Sequence, residues 1–394
     1  MEPIILPAQR LGNVEEYYFS TKLKEIARLR SEGKDILNLG IGSPDLAPTD
    51  TTIETLVNAA REANTHAYQS YVGIPELRQA FARWYQEHFA VTLNPDQEIL
   101  PLLGSKEGIM HISMSYLEPG DEVLTPNPGY PAYRSTAYLT GATLRDYDLL
   151  EARNWQPDLD LLAGQDLSKV KIMWVNYPNM PTGARADMGF FKDLIAFAKT
   201  HRILVVNDNP YAFILNDQPL SLLSVEGAKE VALELNSLSK SHNMAGWRVG
   251  MVAGAATYLD TILRFKSNMD SGMFKPVQLA AVQALQNPVS WYQDLNRRYT
   301  ERREVVYRIL DVLECVYDRD QVGMFVWARI PAQASSGFAL SDEVLYGANV
   351  FLTPGGIFGT QGENYIRISL CAETAVFEEA ARRITEMVKS GVNI

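Results

Sequence analysis

Cysteine is nearly absent: the 394 residues include two, Cys315 and Cys371. They form no CxxC and no ligand cluster, which excludes a disulfide framework and points to free thiols in a reducing compartment. Histidine is almost as scarce. His66, His88, His111, His201 and His242 show no HExxH or other metal spacing, so each reads as a core or surface residue and no metal is expected. No run of about 18 apolar residues exists, so no membrane-spanning helix is expected. The first ten residues, "MEPIILPAQR", lack a basic stretch followed by a long apolar one, so no signal peptide is expected. Positive charge is in deficit, with 36 Lys and Arg against 47 acids and a net charge of −11. That disfavours nonspecific binding to nucleic acid or an anionic membrane, while leaving room for a local basic pocket. There is no GxGxxG and no GxxxxGK[ST], so neither a dinucleotide nor a nucleoside triphosphate cradle is indicated. Repeats, charge blocks and low-complexity stretches are missing too. A cytoplasmic, soluble protein is the expectation.

What remains is ordinary globular material, 46% hydrophobic and 21% charged, enough for two or three domains and a deep cleft. Short apolar runs alternate with helical stretches. "EILPLLG" (98–104), "DEVLTP" (121–126), "KIMWVNYP" (171–178), "RILVVND" (202–208), "EVALELNSLS" (230–239) and "WRVGMVAG" (247–254) read as strands. "SKEGIMHISMSYL" and "MGFFKDLIAFAKTH" read as helices between them. Nearly continuous apolar strands separated by helices predict an α/β fold, a mostly parallel sheet covered on both faces. Ligands in such sheets bind beyond the strand carboxyl ends. From 287 to 313 a helical face runs through Trp291, Leu295, Tyr299, Val306, Ile309 and Leu313, with Pro288 placed for a first helical turn. "GMFVWARI", "YIRISL" and the helix "AVFEEAARRITEMVKS" then predict a smaller α+β domain, with Gly391 as a helix cap. The expected boundaries are an N-terminal segment to residue 45, a large domain over 46–285 and a small domain over 286–394.

Several motifs could carry chemistry. In "SLSKSHNMAGWRVG" (237–250), Lys240 follows a strand end, flanked by Ser237 and Ser239, with Arg248 eight residues on. Desolvation and neighbouring cations can strip such a lysine of its proton and make it a nucleophile. The hydroxyls and guanidinium suit a phosphate. In "VVNDNPYAF" (205–213), Asp208 ends a strand and can pair with a protonated pyridine nitrogen, or simply form a turn before Asn-Pro. Tyr211 is three residues on. In "LLGSKEGI" (102–109), the backbone N–H groups of Ser105 and Lys106 and the Ser105 hydroxyl can bind an anion at a helix start, or Ser105 can be an ordinary N-cap. Tyr130 in "PNPGYPAY" can stack on a planar ring or pack in a rigid loop. Arg367, inside the apolar "NYIRISL", requires an anion, either a substrate carboxylate or a structural acid.

Taken together and in this order, the motifs resemble the class I/II aminotransferases, pyridoxal-phosphate enzymes of fold type I, over essentially the whole chain. The resemblance implies pyridoxal 5′-phosphate as cofactor. Lys240 would be the Schiff-base lysine and proton shuttle, Asp208 the partner of the ring nitrogen, and Tyr211 a donor to the ring oxygen. Ser105, Lys106, Ser237, Ser239 and Arg248 would hold the phosphate, Tyr130 would stack on the ring, and Arg367 would take the substrate carboxylate. "NLGIGSPD" (38–45) resembles the family's N-terminal glycine segment, placing Gly42 near that carboxylate. "AYQSYVGIPELR" (67–78) resembles the segment whose tyrosine, here Tyr68, reaches the partner's phosphate, which implies a homodimer with shared sites.

One position departs from the pattern. In "NYPNMPTGA" (176–184), Met180 stands where the family has Asn before Pro-Thr-Gly. A thioether donates nothing. Losing one hydrogen bond to a charged acceptor costs about 1.5–3 kcal/mol, which trims a site without abolishing it. Asn179 could compensate if the turn shifts. The implied reaction is ping-pong amino transfer between an amino acid and a 2-oxo acid. The alternatives are a carbon–sulfur β-lyase of the same fold and a non-catalytic cofactor-binding module. Dicarboxylate enzymes of the family present a second arginine from the partner subunit; the comparable "RFKSNMDSGMFKPVQ" (264–278) offers Arg264, Lys266 and Lys275, with no clear counterpart of it. "SNMDSGMF" instead resembles the branch that includes LL-diaminopimelate aminotransferases.

Overall fold

Strands covered on both faces must be apolar on both, and Val170–Val175 and Ala232–Ser237 are buried almost throughout. The computed structural model describes residues 4–12 and 18–390, so the cap expected at Gly391 lies outside the described residues. The large sheet has seven strands. They are β1 (Ile99–Leu102), β2 (Glu122–Asn127), β3 (Thr143–Asp148), β4 (Val170–Val175), β5 (Leu204–Asp208), β6 (Ala232–Ser237) and β7 (Gly250–Gly254). Their order is β1-β7-β6-β5-β4-β2-β3. All run in one direction except β7, which is antiparallel to β1 and β6 on either side. The sheet's two faces feed different apolar clusters. Met173 and Val175 of β4 join one with Phe81, Trp84 and Leu194. Ile172 and Trp174 join the other with Ile109, Ile112 and Tyr133.

The sequence does not announce β3. Its residues "TLRDYD" are largely exposed, as an edge strand permits, and carry no apolar run to read. Pro288 also stands differently from expectation. Its extended ψ of 164° makes it the N-cap residue, and the helix begins at Val289.

A second, antiparallel sheet holds β8 (Val316–Tyr317), β9 (Phe325–Arg329), β10 (Thr353–Pro354) and β11 (Tyr365–Ser369), in the order β10-β11-β9-β8. The helices Val289–Val312, Gly337–Ala348 and Thr374–Lys389 pack on it. The early helix Tyr18–Ser31 inserts Phe19, Ile26 and Leu29 into the same apolar cluster. Leu37–Asn38 pairs in parallel with Val350–Phe351, which carries residues 38–47 toward the open edge of the large sheet. Among the described residues no helix is long and apolar enough to cross a membrane.

Candidate active site

The parallel strands end on one edge, and the residues singled out by chemistry follow those ends. Register brings the phosphate-type residues together, since Ser237, Gly250 and Leu102 are cross-strand neighbours on β6, β7 and β1. Ser237 ends β6 and caps the one-turn helix Leu238–Ser241, its hydroxyl accepting from Ser239 N at 3.1 Å and donating to Ser239 Oγ at 2.8 Å. Gly104, not Ser105, is the N-cap of the helix Ser105–Tyr116, and no side chain caps that start. Ser105 and Lys106 therefore present first-turn N–H groups, and Ser105 is not the ordinary cap. A Cβ on Gly104 would stand 2.2 Å from Arg248 Nη2, so the Arg248 guanidinium lies directly over this helix start. The arrangement is a cradle of the kind an oxyanion fills.

Lys240 projects from the same one-turn helix. Its Nζ donates to Gly42 O at 2.6 Å. Burial pushes its pKa down, helped by the Arg367 and Arg248 charges and opposed by Cys371 and Asp208. Asp208, at the end of β5, is buried. Its Oδ2 accepts from Tyr133 Oη at 3.0 Å, while its Oδ1 has no hydrogen-bond partner among the described residues. Burial pushes its carboxyl up to about 7, against the pull of Tyr133, Ser105 and Lys240. A buried carboxylate with one satisfied and one orphaned oxygen calls for a cationic donor. A protonated pyridine nitrogen supplies one. With the oxyanion cradle and a lysine whose pKa burial lowers, the residues fit a phosphorylated pyridine aldehyde.

Tyr130 is half-buried, edge-on to Tyr133 at 5.7 Å. Tyr211 is buried, edge-on to Phe325 at 5.8 Å, and burial raises its hydroxyl pKa. Arg367, on β11, is 4% exposed. Its guanidinium lies 3.9 Å over the Phe325 ring. Nη2 donates to Gly40 O at 2.8 Å, and Nη1 to Met180 Sδ at 3.2 Å. Gly42 is close enough to Phe325 that a Cβ would stand 2.3 Å from the ring.

The turn around Met180 is internally closed. Asn176 Nδ2 donates to Asp208 O, and Asn176 Oδ1 accepts from Met180 N at 2.7 Å. Asn179 spends its amide on Asn176 O and its Oδ1 on the Thr182 hydroxyl at 2.7 Å. Both side chains are thus engaged within the turn and with the end of β5. Behind the turn lies a cavity of about 810 Å³ lined by Trp155, Arg185, Gln321 and Trp327. None of Lys240, Asp208 or Arg367 lines it, so volume does not locate the chemistry here.

Two sequence-expected residues stand apart. Tyr68 is 91% exposed, outside the group the others form. Lys266 is buried against Asp270 at 2.7 Å, which withdraws it as a ligand for a second substrate carboxylate. Sequence reasoning missed Tyr133 and Asn176. Tyr133 sits inside the quoted "PNPGYPAY", but it meets Asp208 while stacked on Trp174 at 5.0 Å, a contact between the helix Pro131–Thr140 and β4 that the sequence does not show.

Known proteins resemble this chain over nearly its whole length. The family model described as aminotransferase class I and II matches residues 34–384. An LL-diaminopimelate aminotransferase of Dehalococcoides mccartyi is 39% identical over 97% of this chain and 99% of its own. Among solved structures, substrate-bound BacF of Bacillus subtilis superposes with a TM-score of 0.93 at 33% identity, over 97% of this chain and 98% of that one. A probable N-succinyldiaminopimelate aminotransferase of Thermus thermophilus gives a TM-score of 0.87 at 31% identity, over 94% and 99%.

Proposed function

Because this chain belongs to the class I and II aminotransferases, enzymes that use pyridoxal 5′-phosphate, we propose that Lys240, Asp208 and Arg367 carry amino transfer here. The observation that carries the assignment is the orphaned Oδ1 of buried Asp208, a place kept for a protonated ring nitrogen. Ser105, the Lys106 N–H, Ser237, Ser239 and Arg248 would hold the phosphate, Tyr211 the ring oxygen and Tyr130 the ring face. When bound, the cofactor supplies an aldehyde for the substrate amine and a ring that accepts the electron pair of the broken Cα–H bond.

The chain's own part is positional and acid–base. Arg367 holds the substrate α-carboxylate, in a collar of Phe325, Phe358 and Met180 that keeps water away and strengthens the pairing. Lys240 Nζ, biased toward its neutral form by burial, takes the Cα proton and later returns one. Asp208 Oδ1 keeps the proton on the ring nitrogen. Tyr133 holds Oδ2, which would leave Oδ1 for the ring nitrogen.

Tyr68 projects from the surface with Tyr71 and Phe274, both also exposed. We assign it to the phosphate of a second copy, which makes the working unit a homodimer. The unpaired thiols of Cys315 and Cys371 fit a reducing, cytoplasmic setting. The test is an amino-donor panel with 2-oxoglutarate on the loaded enzyme. LL-diaminopimelate heads it because relatives of that name are 39% identical, followed by aromatic, aliphatic and dicarboxylic amino acids. The expected result is one oxo acid and one glutamate per donor consumed, lost in Lys240→Ala. Pyruvate and ammonia from a single substrate would instead assign a lyase.

A further inference from the structure

Residues 37–47 form a strap between the two sheets. Ser369 N donates to Leu39 O at 2.7 Å. Thr353 Oγ1 and Arg367 Nη2 both donate to Gly40 O, at 3.0 and 2.8 Å. Two residues on, Gly42 O accepts from Lys240 Nζ at 2.6 Å. Asn243 Nδ2 then donates to Ala47 O at 3.2 Å. Both nitrogen groups of the proposed reaction, the Arg367 guanidinium and the Lys240 amine, thus hang on alternate carbonyls of one strap. The strap is tightly enclosed: a Cβ at Gly40 would stand 2.4 Å from Phe351 Cε1, and one at Gly42 would stand 2.3 Å from Phe325 Cζ.

Asp45 fixes the strap along its length. Its Oδ1 and Oδ2 accept from Arg302 Nη1 and Nη2 at 2.8 and 2.7 Å. Arg302, on the long helix Val289–Val312, is 4% exposed, and its Nη1 also donates to Leu370 O at 2.9 Å. A forked pair of this kind sets direction as well as distance. Removing one member leaves the other charge buried and unmatched.

We propose that Asp45 and Arg302 are the positioning pair of this site, holding the strap in register so that occupancy of Arg367 is transmitted to Lys240 through Gly40 and Gly42. The inference rests on the roles given above to Arg367 and Lys240. A carboxylate arriving at Arg367 competes with Gly40 O for the guanidinium. With Asp45 fastened, the displaced backbone can relax only toward Gly42, whose carbonyl holds Lys240.

The test compares wild type with Asp45→Asn and with Arg302→Lys, which keeps the charge but cannot fork. Amide hydrogen exchange over residues 38–47 is measured in loaded and cofactor-free protein, with and without propionate as a probe carboxylate. In wild type, propionate changes exchange in this segment. In Asp45→Asn the segment exchanges at least about tenfold faster and the response to propionate is lost. A misplacement of about 1 Å costs on the order of a hundredfold in rate, so donor KM rises by about tenfold or more and kcat falls by less. Arg302→Lys falls between the two, and it carries the test alone if Asp45→Asn does not fold. Faster exchange spread evenly over the whole chain would overturn the proposal, as would unchanged exchange and KM in a folded variant. Arg367→Lys separates the premises. If it leaves donor KM unchanged, the carboxylate assignment fails. If it raises KM while the Asp45 and Arg302 variants behave as wild type, only the strap inference fails.

Discussion

Asp208 is a carboxyl held between two preferences. Burial favours its neutral form and lifts its pKa to about 7, while the proposed ring nitrogen requires its anion. The sign of the consequence follows from linkage. The unfolded chain ionises near the ordinary 3.8, so between about pH 4 and 7 the cofactor-free folded state binds more protons and loses stability as pH rises. Above about pH 7 the penalty is complete and constant. Asp208→Asn removes it. The melting temperature of cofactor-free Asp208→Asn should match wild type near pH 4 and exceed it by a few degrees, roughly, at pH 8. With cofactor bound the order should reverse, because only the carboxylate pairs with the ring. A difference that does not vary with pH would remove the buried carboxylate from this account.

Met180 belongs to the same scale. Its oddity was readable in the sequence, but its neighbour was not. The thioether faces Arg367 at 3.2 Å, a contact made across the two sheets. Asn176 and Asn179 close the turn beneath it.

At the scale of elements, the helix Ser105–Tyr116 shows what a sequence hides. The run "LLGSKEGI" announces a strand, a glycine and a helix start. It does not say that the cap is Gly104, at φ +86° and ψ 159°, a backbone region nearly closed to other residues. Nor does it show Arg248, some 140 residues later, lying where a Cβ would be. The buried strands were legible because both of their faces are apolar. β3 was not, because an edge strand needs no such pattern. Gly104→Ala follows from this geometry. The backbone strain costs about 1–3 kcal/mol, and the displaced guanidinium is the exposed end of a flexible side chain, so the fold should survive with a lowered melting temperature. The larger loss should be in cofactor retention, measured as resolution of the loaded enzyme by dialysis against phosphate. Wild-type retention in the alanine variant would dissociate Arg248 from the phosphate cradle.

The whole molecule presents a surface that one chain does not explain. Tyr68 is 91% exposed beside half-covered Tyr71 and Phe274, although its segment resembles one that reaches into a neighbouring site. If Tyr68 serves the partner's phosphate, damage to Tyr68 and damage to Lys240 fall in different sites of a mixed dimer. Tyr68→Ala leaves its own lysine intact but starves the partner's site. Lys240→Ala destroys its own site but lends a good tyrosine. Unfolding and refolding the two variants together should therefore form dimers with one complete site. Random pairing gives half mixed dimers, each with one working site of two, so activity should return to roughly a quarter of wild type. That lies well above the mean of the two parents when Tyr68→Ala alone is strongly impaired. Sedimentation should show a dimer throughout. Activity equal to the parental mean, in a mixture shown to exchange chains, would place Tyr68 outside the partner's site.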